Sequence, residues 1–145
     1  MSTIKAIAIR NRPRIAMQSI DSAQISVDNG ILGDIRGTQK GRQITILSES
    51  AWLKACLQLD TELPWTTRRA NLLVDGIVFD ETCIGCKLRI GTVELVVTRE
   101  TIPCSMMDAQ HQGLTAALAT HWRGGICCNV VSSGHIKLGD QVEFV

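Results

Sequence analysis

The sequence predicts a mostly β fold: a closed or partly open mixed β-barrel with one to three short flanking helices. Three observations carry that expectation. Apolar and polar residues alternate over many short runs, Gly- and Asn-containing turn signals recur between those runs, and only two stretches have helical spacing. Frequent turns and few helices favour an antiparallel or mixed barrel over a chain of βαβ units. A length of 145 residues suits a single domain spanning residues 1–145, large enough to bury one sizeable core.

The elements follow in order. "IKAIAIR" (Ile4–Arg10) alternates with period two, as a half-buried strand does. "AQISVDNGILGD" (Ala23–Asp34) is a second strand region, broken by a turn signal at Asn29-Gly30. "RQITILS" (Arg42–Ser48) reads as strand after the loop "GTQKG" (Gly37–Gly41). From Ser48 the period changes: Trp52, Leu53, Cys56, Leu57 and Leu59 share a helical spacing, Ser48 suits the N-cap, and Glu49 suits the helix dipole. "RANLLVDGI" (Arg69–Ile77) is strand plus turn. "CKLRIGTVELVVTRETI" (Cys86–Ile102) is two alternating runs about Gly91-Thr92, a hairpin. "GLTAALATHW" (Gly113–Trp122) is a short helix stopped by Gly124-Gly125, and the closing segment holds two strands across Ser132–Gly134 with a further turn at Gly139-Asp140.

Composition narrows the function classes. A net charge of +1 gives no electrostatic footprint for nucleic acid or membrane, and with three Trp, two Phe and no Tyr there is little to build a base-stacking platform. No apolar run approaches the roughly 18 residues of a membrane span, and the N-terminus lacks a signal-peptide pattern. A cytoplasmic location is the expectation, and there the six cysteines read as buried hydrophobes, ligands or nucleophiles rather than as a disulfide framework.

Among them Cys104 stands out, because it follows Pro103 at the end of the hairpin's second strand. Proline lacks an N–H donor, so the ladder is expected to stop there and leave a thiol at the sheet rim. Such a thiol becomes useful beside cationic side chains, which Arg36, Arg42, Arg68, Arg69 and Arg123 can supply if they converge. Burial as an inert core residue is the alternative. Cys83 and Cys86 form a CxxC, suited to a redox dithiol or half a zinc site. Its second half is missing: the side chains of Cys127 and Cys128 point to opposite faces of a strand, and the sequence after Cys86 continues as strand rather than helix. His111, His121 and His135 have no ligand-like spacing. Arg68-Arg69 with Asn71 gathers donors suited to an oxyanion, and Arg123–Gly125 can form an anion-holding backbone nest. Walker, GxGxxG, GxSxG and HExxH motifs are all absent.

In this order the segments resemble the MOSC domain, the family named for the C-terminal domain of molybdenum-cofactor sulfurases. "GILGD" (Gly30–Asp34) is similar to the family's opening glycine–aspartate turn and "GRQITILS" to the strand after it. "RRANLLVDGI" resembles the arginine–asparagine segment, "LRIGTVELVVT" the central hairpin, "PCSMMD" the cysteine segment, and "RGGICCNVVSSGHIKLGD" the closing glycine-rich strands. The resemblance implies a β-rich fold with a site for molybdenum cofactor (molybdopterin) or for sulfur transfer. Cys104 would be the metal ligand or persulfide carrier, Arg69 and Asn71 would bind the cofactor's phosphate or pterin, and Arg42, Asp34, Arg68 and Arg123 would support them. Two departures matter: "GDIRGTQKG" has Arg36 where many members carry histidine, and the chain has no room for a desulfurase or an extra β domain. No pyridoxal phosphate site is expected. Sulfur or electrons would come from a separate cysteine desulfurase or electron-transfer protein, the latter for reduction of N-hydroxylated compounds. The alternatives are a non-catalytic binding module on the same barrel, and a thiol or zinc protein that uses Cys83 and Cys86.

Overall fold

A computed structural model describes residues 1–145. Eleven strands form two sheets: β1 (Ile4–Ile9), β2 (Gln18–Ile20), β3 (Ser22–Ser26), β4 (Gly30–Ile31), β5 (Ile44–Ser48), β6 (Leu72–Val74), β7 (Lys87–Ile90), β8 (Val93–Glu100), β9 (Ile126–Ser132), β10 (Gly134–Lys137) and β11 (Glu143–Phe144). The larger sheet runs β11-β7-β8-β9-β5-β6-β1-β2, and the smaller β10-β3-β4. Every pairing is antiparallel except β5 with β6, where Ile46 stands opposite Leu72. A parallel pair needs a crossover, and helix α1 (Glu49–Gln58) supplies it. As the sequence predicts, Ser48 caps α1, its Oγ accepting from the Ala51 N–H.

Alternation along β5 divides the core. Ile44 and Ile46 join a 21-residue cluster with Ile7, Leu72, Leu95 and Cys128, while Leu47 faces a second cluster of 10 residues. The second includes Trp52 and Ala55 of α1 and Leu114, Ala117 and Leu118 of α3 (Leu114–Ala119). A third helix, α2 (Met106–Gln110), was not anticipated by spacing; five residues are too few to display a period. No helix is long and apolar enough to cross a membrane.

Barrel closure is corrected: the large sheet is open, with β11 and β2 at its edges. Two and three residues respectively, these strands are too short to complete a ladder. The N-terminus meets the C-terminal segment at an isolated Thr3–Gln141 bridge, beside which Ile4 N–H donates to the Asp140 carbonyl at 2.9 Å.

Thr3 is also held by Asp75, whose Oδ1 accepts from the Thr3 N–H at 2.7 Å and from its hydroxyl at 3.1 Å. The N–H bond is the main cause that keeps the Asp75 carboxyl below its ordinary range. A carboxyl depressed on folding stabilises above its unfolded pKa, about 3.9, and that contribution is lost as pH falls through the lower folded value. Wild type is therefore expected to melt higher than Asp75→Asn at pH 6, with the gap closing as the pH is taken below about 4. Melting curves across that range check it; a gap independent of pH refutes it.

Candidate functional site

The site begins with a short 3-10 turn, Trp65–Arg68, which ends on Arg69 in the left-handed region at φ 63°. That reversal sends the two arginines apart: Arg68 is buried and Arg69 exposed. Arg68 forks between two carbonyls, Nε donating to Gly124 at 3.1 Å and a terminal nitrogen to Thr101 at 2.8 Å. Burial, with repulsion from Arg42, pushes its pKa down to about 10, against the opposing pull of Cys104, Cys127 and Glu100. Arg68 remains a cation at neutral pH and lies within electrostatic reach of both thiols.

Arg42 enters from the other side. Gly41, before it, is gripped by Asn129, whose Oδ1 accepts the Gly41 N–H at 2.6 Å, and by the Thr98 hydroxyl, which donates to the Gly41 carbonyl. Gln43, after it, is fully buried and ties Val27, Gly37 and Val130 together. Held so, Arg42 has the only buried polar side-chain atom in the chain without a partner, its Nε. Burial and then Arg36 lower the Arg42 pKa, while Cys127 and Cys104 act to raise it. Two further arginines that the sequence reading did not single out belong here: Arg99 repels Arg42, and Arg10 is lowered by burial and by Arg69, Arg36 and Arg42. Arg99 stands opposite Cys127 across the β8–β9 pair, beyond a bulge at Val97–Arg99 that no local pattern announces. The one ion pair of the molecule, Arg89–Glu94, includes none of these arginines. A recess of about 210 Å³ opens against Arg10 and Arg36.

Cys104 is exposed, in the irregular segment between β8 and α2. Its carbonyl is anchored by the Thr115 hydroxyl at 2.9 Å and the Met107 N–H at 3.0 Å. β8 ends at Glu100, so the ladder stops before Pro103 is reached. The Thr101 N–H still bonds the Gly125 carbonyl, and the Thr101 hydroxyl meets Cys127 Sγ at 3.3 Å. Gly125 is obligatory here: at φ 98° its Cβ would overlap the Ile46 carbonyl. An exposed thiol within electrostatic reach of guanidinium groups that no carboxylate pairs suits an anionic ligand with a soft atom to bind.

Residues 33–143 match the sequence model of the MOSC domain. The chain belongs to the MOSC domain family. Solved structures share the fold. YuaD from Bacillus subtilis is 19% identical with a TM-score of 0.79, over 99% of this chain and 96% of that one. YiiM from Geobacillus stearothermophilus is 17% identical with a TM-score of 0.81, over 100% and 75%. YiiM from Escherichia coli is 14% identical with a TM-score of 0.74, over 99% and 69%. Comparison with the curated proteins finds no sequence match.

In this MOSC domain the residues expected at the site are not all neighbours. Asn71 is buried and its side chain is spent on the framework: Oδ1 accepts from the Thr45 N–H at 3.0 Å and Nδ2 donates to the Ala8 carbonyl at 3.2 Å. Arg69 donates to the Ile15 carbonyl at 3.2 Å on the outer side of the turn. Asp34 accepts from the backbone of Arg10 and Arg36, both at 3.2 Å, and so places two members of the arginine group. Arg123 turns away to Gln58 and Ala117, at 2.8 and 3.2 Å. Arg68 and Arg42 act on each other and on Cys104, Arg36 acts on Arg42, and Arg69 and Asp34 join the group through Arg10. Cys127 faces them while Cys128 lies in the core, where burial raises its pKa, as opposite faces of a strand require. Cys83 is buried and Cys86 exposed, its Sγ near the Thr82 carbonyl at 3.4 Å, and no group of three or more His, Cys, Asp or Glu side chains is placed to hold a metal ion.

Proposed function

We propose that this MOSC domain, one unit over residues 1–145, binds molybdenum cofactor, with Cys104 as the soft ligand to the metal and Arg42 and Arg68 holding the cofactor's anionic part. The observation that carries the reading is the buried, unpartnered Nε of Arg42 in an arginine group that also reaches Cys104. The donor set fits a metal that arrives on its own organic ligand: one accessible thiol and several guanidinium forks, rather than a cage of side-chain ligands. When bound, the cofactor would supply the redox chemistry by which N-hydroxylated compounds are reduced, with electrons from a separate protein. The chain's own residues bind and orient it: Arg42 and Arg68 neutralise its charge, Asp34 and Asn129 position the segments that bear arginines, and Thr101 holds the strand end ahead of Cys104.

A second reading is favoured by the exposure of Cys104 outside any strand or helix. There its thiolate can attack the outer sulfur of a desulfurase persulfide, whose S–S bond breaks as the donor's thiolate leaves, so that sulfur moves without net oxidation. Expression in cells making abundant molybdenum cofactor, followed by elemental analysis and a labile-sulfur assay, tests both readings. Wild type is expected to hold close to one molybdenum per chain, lost in Cys104→Ser. Labile sulfur without molybdenum would favour the carrier, and molybdenum retained by Cys104→Ser would sink the leading reading.

A further inference from the structure

A larger cavity, of about 570 Å³, lies between α1, the Val78–Thr82 loop and the turn Thr120–Trp122. Neither Cys104 nor any of the arginines gathered near it lines this cavity. Its apolar wall is made by Val78, Phe79 and Trp122, and the far side of Trp122 packs on the main core. Two cations, Lys54 and Arg123, and two carboxylates, Asp80 and Glu81, also line it. No ion pair joins them. Opposite charges in one cavity that do not reach each other leave a gap that a ligand bearing both charges can span.

The walls are fixed in advance. Asp80 Oδ1 accepts the Thr82 N–H at 2.9 Å, and Arg123 is held by Gln58 and Ala117. His121 and Trp122 are consecutive non-glycine residues in the left-handed region, both at φ 54°. Such residues are strained and persist where the surroundings enforce them, commonly at ligand sites. This strained pair forms part of the cavity wall, and Thr120 Oγ1 bonds His121 Nδ1 at 2.8 Å, which fixes the ring.

We propose that the cavity binds a small zwitterion with a flat apolar body, of the α-amino acid class. Asp80 and Glu81 take its ammonium, Lys54 and Arg123 its carboxylate, and Phe79 and Trp122 pack on its side chain. Amide NMR titration of the full chain with L-phenylalanine, phenylpropionate and phenethylamine tests this, the last two each lacking one charge. Saturable shifts at Val78–Thr82 and His121–Arg123 are expected with phenylalanine, at least about tenfold tighter than with either analogue. Lys54→Met and Glu81→Gln, both at exposed positions, should each weaken it about tenfold. The proposal is overturned if phenylalanine gives no saturable shifts, if an analogue binds as tightly, or if both variants bind like wild type.

Discussion

Replacing Asn71 with Leu is expected to lower the unfolding free energy by about 2–5 kcal/mol, without altering the dependence on denaturant. Asn71 stands just ahead of β6, between β5 and β1, where the regular ladders end. Its backbone N–H donates to the Thr45 carbonyl at 3.0 Å, and its own carbonyl accepts from Ala8 at 2.8 Å. Its side chain completes the pairing by taking the Thr45 N–H and giving a hydrogen to the Ala8 carbonyl. Leucine has a similar volume but no polar atoms, so a donor and an acceptor would be left buried and unpaired, each costing about 1–3 kcal/mol. Asn71→Asp keeps the acceptor and sets a carboxylate oxygen against the Ala8 carbonyl, so it should be no milder. Urea unfolding of the three proteins decides the matter: a loss below about 1 kcal/mol for Leu would show that water replaces the amide.

The role of Asn71 also shows where sequence reading reaches its limit. The β7–β8 hairpin about Gly91-Thr92, the β5 strand and the Ser48 cap of α1 were legible because each depends on neighbours in sequence. Family resemblance marked the arginine–asparagine segment as important, yet the pattern does not distinguish a residue that touches a ligand from one that holds three strands together. Which arginine of the pair turns inward depends on the φ of Arg69, a tertiary outcome that buries Arg68, not Arg69, within electrostatic reach of the thiols. Convergence of Arg10, Arg36, Arg42 and Arg99 is equally non-local: Arg10 follows β1, Arg36 and Arg42 lie at separate points of the stretch between β4 and β5, and Arg99 is on β8. Barrel closure failed as an expectation because periodicity reports that strands exist, not whether the edge strands are long enough to pair.

Removing Arg68 should have two separable effects, and Arg68→Met against Arg68→Lys tells them apart. Both bonds from Arg68 end on carbonyls that flank the thiol segment, at Gly124 and Thr101. Methionine leaves both carbonyls without this donor in a buried site, an expected loss of about 2–4 kcal/mol. Lysine keeps the charge but has no planar fork to reach two acceptors, so it should recover part of that stability. The second effect is electrostatic. At one fixed pH, the rate of Cys104 alkylation by anionic iodoacetate divided by that for neutral iodoacetamide reports local positive potential, because the thiolate fraction cancels in the ratio. Arg68→Met is expected to lower this ratio several-fold to about tenfold, Arg68→Lys much less, and added salt should shrink the difference. Peptide mass mapping separates Cys104 from exposed Cys86, which serves as the internal control. If Met and Lys lower the ratio equally, the guanidinium acts by holding the Thr101–Cys104 segment in place; if neither does, the arginine group does not create the field from which an anionic ligand at Cys104 is inferred.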